Sequence, residues 1–230
     1  MIIIMDEITK RKLRAVGAIA VLVAVVLAIF SAFYRIREKK NTTMRLRSFY
    51  SDMHQTLQYS MNLNFTPDIW GFKGGYRNAD IINNYIVKYL RVEKNCVADG
   101  GDCFPDEFYK NFKNKPTKVN LSKLPSIVLY NKIALAFETI SKCKKNNSVC
   151  AIVYVDMNSV EPPNTFGKDL FVFMLLNSQQ TPFLPYNINV AKEKLYEDTK
   201  LGCNKEAEMP MYCSAYIYNN EWIMDKNYPW

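Results

Sequence analysis

Few residues in this chain could do chemistry, and they group by spacing. Six cysteines fall into three close pairs, Cys96/Cys103, Cys143/Cys150 and Cys203/Cys213. Zinc prefers two cysteines separated by two to four residues, and the six intervening residues of CVADGGDC and CKKNNSVC are too many. Nearest-neighbour disulfides are the simplest assignment among the fifteen connectivities that six cysteines allow. Each would close a short loop and contribute about 2–3 kcal/mol in the chain-entropy treatment. Such bonds require an oxidising compartment.

A second group is Asp156, Asn158, Asn164 and Asp169, around Gly167. Four hard side-chain oxygens beside a glycine suit Ca²⁺, although the spacing is not that of an EF-hand. The competing reading is that Asp and Asn cap turns through their own backbone. Ca²⁺ is the one cofactor the sequence raises.

Catalysis finds little support. The single histidine, His54, has no evident partner for general-base work. No G-x-S-x-G, G-x-x-x-x-G-K-[ST] or H-E-x-x-H pattern occurs. The chain is expected not to be an enzyme and to take no small-molecule substrate.

The elements that must position these residues begin with an anchor. Ala15–Tyr34 is uncharged over twenty residues, between Lys10–Arg14 and Arg35–Lys40. At about 1.5 Å per residue that is roughly 30 Å, the depth of a bilayer's hydrocarbon core. A cleavable signal peptide, with a small-residue site at Val26-Leu27-Ala28, is the competing reading, but the apolar run exceeds the usual signal-peptide core.

The net charge of +8 is uneven: residues 1–40 hold eight Lys/Arg against three Asp/Glu, and the remainder 22 against 19. The excess is therefore juxtamembrane, where basic residues meet headgroups, and a nucleic-acid groove is not expected. Basic residues flank the span almost equally. Orientation accordingly rests on the cysteines, which put the head outside the cytoplasm and residues 1–14 inside.

From Arg35 to about Asn62 no Pro or Gly interrupts, and Leu46, Phe49/Tyr50, Met53, Leu57 and Met61 recur at helical steps. That predicts an amphipathic stalk helix over 35–62, continuous with the span and 45–50 residues long in all. A head follows over 63–230. It opens with a short helix over Asn78–Leu90 and a polar stretch, Val92–Lys123, expected to hold little regular structure.

Four segments then read as strands, at 126–131, 133–140, 150–157 and 169–176, with a turn at Asn131-Lys132. Strand follows strand without helices between, so an antiparallel meander is expected. SAYIYNN (214–220) reads as a last strand, and Trp230 is expected to pack onto the head. The fold class is α+β: a long N-terminal helix on an antiparallel sheet.

Three stretches resemble the type IV pilin superfamily, particularly type II secretion pseudopilins. RLRSFYSDMHQTLQYS (45–60) resembles that family's stalk segment. VDMNSVEPPNTFGKDLFVF (155–173) resembles its head motif at Asp156, Asn158, Pro163, Asn164, Gly167, Asp169, Phe171 and Phe173. CSAYIYNNEWIMDKNYPW (213–230) resembles its ending at Trp222, Tyr228, Pro229 and Trp230.

The resemblance implies a lollipop-shaped subunit of the bacterial inner membrane, with its head periplasmic or extracellular. It also implies association with other pilin-like subunits through apolar helices, a calcium loop in some members, and no catalysis. The sequence departs from the family at the processing site. Thr9, Lys10 and Arg14 stand where prepilins carry Gly, Phe and Glu, and Ser31 replaces a helix-kinking Pro. Arg14 reverses the charge that docks a neighbouring subunit in that family. The alternative expectation is therefore a permanently anchored, pilin-derived accessory protein that is neither processed nor assembled.

Overall fold

The computed structural model describes residues 7–73, 78–97, 103–141 and 143–230, with side chains from Arg14 onward. Helix α1 runs Glu7–Asn64, 58 residues, longer than expected because it starts well before the span. It ends where Phe65 turns to φ 60° and Pro67 opens a 3₁₀ turn, Pro67–Ile69. The chain divides into two compact units, Met1–Asn41 and Thr42–Trp230.

In the first unit every described residue from Arg14 to Arg37 is exposed, including Val16, Phe30 and Phe33. A helical stretch that is apolar and exposed all round suits apolar surroundings. It is the one helix among the described residues long and apolar enough to cross a membrane.

In the second unit Leu46, Phe49, Met53, Leu57 and Met61 are buried. Their three- and four-residue steps put them on one helical face. That face joins a core made by alternate residues of three strands: β5 (Ala134–Thr139), β6 (Val149–Asp156) and β7 (Leu170–Leu176). Leu135 and Phe137, Val153 and Val155, and Phe171, Phe173 and Leu175 face this way. Phe49 meets Phe173 edge-on at 6.1 Å, and Phe173 stacks on Phe183 at 4.9 Å.

The intervening residues, Ala134, Ala136, Tyr154, Leu170 and Val172, face a second core with Phe104, Tyr109, Leu121, Leu124 and Phe166. A sheet covered on both faces is buried on both, which is why these strands read as nearly continuous apolar runs.

The sheet has six strands in the order β1–β4–β5–β6–β7–β8, all neighbours antiparallel. Its central meander is the expected one, with β4 at Ser126–Leu129. The turn after it falls as expected, with Lys132 at φ 64° and its N–H bonded to the Leu129 carbonyl at 2.9 Å. The edges are β1 (Val92–Asn95) and β8 (Phe183–Pro185).

The polar stretch 92–123 is more regular than expected. It holds β1 and a separate antiparallel pair, β2 (Phe108–Lys110) with β3 (Pro116–Asn120). The sequence of β1 is VEKN, and charges on an edge strand guard it against further pairing while erasing its alternation signal. The helix expected over Asn78–Leu90 divides into α2, Ala79–Tyr85, and a 3₁₀ turn, Val87–Tyr89. The break is at Ile86, where φ is −124°.

The segment 214–220 is not a strand. It lies in helix α4, Cys213–Asn219, which follows a short α3, Lys192–Glu197. The β7 edge that a last strand would need is taken by β8. Cys213, Ser214, Ala215 and Ile217 are buried instead, and the Ser214 hydroxyl donates to the Val172 carbonyl. Local β-propensity yields here to the burial that the tertiary site offers. As expected, Trp230 packs partly buried against the first core, beside a buried Tyr228.

Candidate functional site

The β6–β7 connection is built from its two ends inward. Asp156 closes β6, and Asp169 immediately precedes β7. Register pairing of Asp156 with Leu170 holds the two aspartates at the same end of the sheet, where both are buried.

Each carboxylate grips the loop it bounds. Asp156 Oδ1 accepts the N–H groups of Asn158 and Val160 at 3.0 and 3.1 Å, and Oδ2 accepts the Tyr109 hydroxyl at 2.6 Å. Asp169 Oδ2 accepts the Asn164 N–H at 2.7 Å, and Oδ1 the Thr165 N–H at 2.6 Å. The Pro162–Pro163 bond is cis, and Ser159, Val160 and Asn164 have positive φ. Positive φ at such residues persists where surrounding bonds over-determine it.

The asparagines complete the connection. Asn158 Nδ2 donates to the Glu161 carbonyl at 2.8 Å, and Asn164 Nδ2 to Glu107 Oε1 at 2.6 Å. Backbone bonds from Lys110 N–H to the Asn164 carbonyl and from Phe166 N–H to the Lys110 carbonyl, both 2.9 Å, clamp the loop onto β2.

Burial, opposed by the Tyr109 and backbone bonds, holds Asp156 above the ordinary carboxyl range. Burial first and the Asp156 charge second push Asp169 up to about 7. Tyr109 is driven upward by burial and then by Asp156, so its phenol remains a donor.

The four oxygens proposed for calcium do not make a cage. The side-chain oxygens of both aspartates are spent on N–H and O–H donors, which a cation would have to displace. Asn158 Oδ1 and Asn164 Oδ1 are buried without a hydrogen-bond donor among the described residues. Among those residues no three His, Cys, Asp or Glu side chains gather as a metal site. The arrangement matches the turn-capping reading of this motif.

The cysteines form three disulfides, Cys96–Cys103, Cys143–Cys150 and Cys203–Cys213, with none free among the described residues. Cys213 also lies against Gly167, so the last of them borders the same loop. His54, half-buried on α1, lies 6.0 Å from the Tyr50 ring. Arg14 is exposed on α1; the side chains of Thr9 and Lys10 lie outside the described residues.

Sequence reasoning missed Tyr109 and Glu107, because the stretch holding them carries no periodicity. Its one sequence signal is that Tyr109 is among the few aromatic residues in a polar run.

The architecture is an α+β head with a membrane-length helix as its first element. The chain belongs to the family of unknown function DUF6613, which matches residues 34–230, from the last residue of the apolar span to the end of the β-rich unit. No curated protein and no solved structure matches it.

Proposed function

We propose that this protein is a non-catalytic, pilin-like subunit anchored in the bacterial inner membrane and serving a type II secretion or type IV pilus-like system. The observation that carries this reading is the division of α1. Its first part is apolar and exposed on all sides, and its second part buries one stripe, Leu46 to Met61, on an antiparallel sheet. A helix of the first kind suits a bilayer and also other helices of the same kind. The head motif that resembles pseudopilins is used here to lock a loop, which is a structural task.

A second reading has its own observation. Arg14 puts a cation at the entry to the span, and Thr9 and Lys10 occupy the processing positions. These favour a permanently anchored accessory protein that does not enter a filament.

Intact mass of the protein extracted from membranes separates the two. A methylated N-terminus near residue 10 supports the assembled subunit; a full-length chain supports the permanent anchor. Cysteines placed at Leu22 and Val26 test helix association directly. Disulfide-linked species in native membranes are expected, and a strictly monomeric pattern would count against subunit packing through α1.

A further inference from the structure

Within the second unit, the β4–β5 turn gathers a cationic and aromatic surface that the loop-locking motif does not use. Arg45 Nη2, from α1, donates to the Asn131 carbonyl at 3.0 Å. The Tyr130 N–H donates to the Arg91 carbonyl at 3.2 Å, bringing the residue before β1 alongside. Lys132 Nζ meets Glu93 Oε1 at 2.5 Å. Arg45, Arg91 and Lys132 are all exposed, as is Glu93, the carboxylate that pairs with Lys132. Tyr130 stands among them 70 % exposed, and Met44, beside Arg45 on α1, is 53 % exposed.

Tyrosine with a ring of Lys and Arg is the combination that settles at the headgroup level of a bilayer. The cations contribute through the negative surface potential, and the phenol through its amphipathic ring. The chain itself supplies proximity. Ten residues lie between Tyr34, the last residue of the apolar span, and Arg45. Even fully extended, they reach at most roughly 40 Å. Arg45, and with it the turn whose Asn131 carbonyl it bonds, therefore stays within roughly that reach of the end of the span.

We propose that Tyr130, Arg45, Arg91 and Lys132 form a docking surface for anionic phospholipid headgroups, seating the head on the bilayer. The proposal rests on the anchor part of the functional reading above.

The test uses the full chain in vesicles of phosphatidylcholine alone or mixed with phosphatidylglycerol. A nitroxide on Asn131→Cys reports accessibility to an aqueous relaxation agent, with the native cysteines held as disulfides. Accessibility is expected to fall in the anionic vesicles, and raising the salt concentration should restore it. R45E or R91E should each lower the docked-to-free ratio by about fivefold or more, from roughly 1 kcal/mol per basic residue at an anionic surface.

Equal accessibility in both vesicle types would overturn the proposal. So would protection that grows with protein-to-lipid ratio regardless of lipid charge, which would mark a contact between copies. The salt arm needs no charge variant, so misfolding of R45E or R91E would leave the test intact. Alkaline carbonate extraction of the same vesicles reports insertion of the span separately, so a failed anchor is distinguishable from an undocked head.

Discussion

The hydroxyl of Tyr228 donates to the carbonyl oxygen of Gly167 at 2.6 Å, across 61 residues of chain. It joins the Tyr-Pro-Trp ending to the loop between Asp156 and Asp169, two stretches that the sequence presents as separate motifs. Tyr228 is buried, and desolvation holds its phenol in the protonated, donating form.

Removing that hydroxyl leaves the Gly167 carbonyl without its buried side-chain donor. Tyr228→Phe is expected to lower stability by about 1–3 kcal/mol, the cost of stranding one polar group. Thermal unfolding of the purified full chain checks it, and an unchanged melting temperature would show that another donor takes over.

Gly167 itself admits no side chain. Its φ is +75°, and a Cβ there would lie 2.5 Å from Phe112 Cζ and 2.7 Å from Cys213 Sγ. Gly167→Ala combines backbone strain with overpacking and should cost about 2 kcal/mol or more. Gly17→Ala is the control, because a Cβ there meets nothing within 4 Å. Urea titration monitored by far-UV circular dichroism compares the two.

Asp169 predicts a pH dependence of known sign. Its folded value, raised to about 7 by burial and then by Asp156, exceeds the unfolded value of about 3.9. The protonated carboxyl is thus favoured by folding. Its contribution is fully present below pH about 4 and is lost as pH rises toward about 7, a change of a few kcal/mol at most. Asp169→Asn should flatten that slope. Denaturant midpoints measured between pH 4 and 8 test it, and a slope unchanged in the variant would assign it to other groups.

The two parts of α1 should respond very unequally to the same truncation. Phe49 is buried against Phe173 and Phe183, whereas Phe33 is 73 % exposed. Phe49→Ala is expected to cost about 3–5 kcal/mol of head stability, and Phe33→Ala close to none. Pulse proteolysis of the head in detergent micelles resolves the difference.

Local patterns made much of this legible. Leu46, Phe49, Met53, Leu57 and Met61 announced a helix face because their spacing matches 3.6 residues per turn. The four central strands were readable because β-branched and aromatic residues crowd between turn residues. The loop motif was visible as a motif, but its use was not: whether Asp169 binds an ion or the N–H groups of Asn164 and Thr165 depends on where the backbone turns. Tyr109, which donates to Asp156, comes from a stretch whose short strands leave no period to read.

The sequence by itself determined the uncharged twenty residues from Ala15 to Tyr34, the stripe that continues from them, and the close cysteine pairs. Each of these is a matter of neighbours along the chain. Only the tertiary structure decided that 213–219 is a helix, that 92–95 is an edge strand, and that Tyr228 reaches Gly167. Those outcomes turn on which sheet edge is already filled and which buried acceptor lacks a donor, and such facts exist only once distant segments have packed.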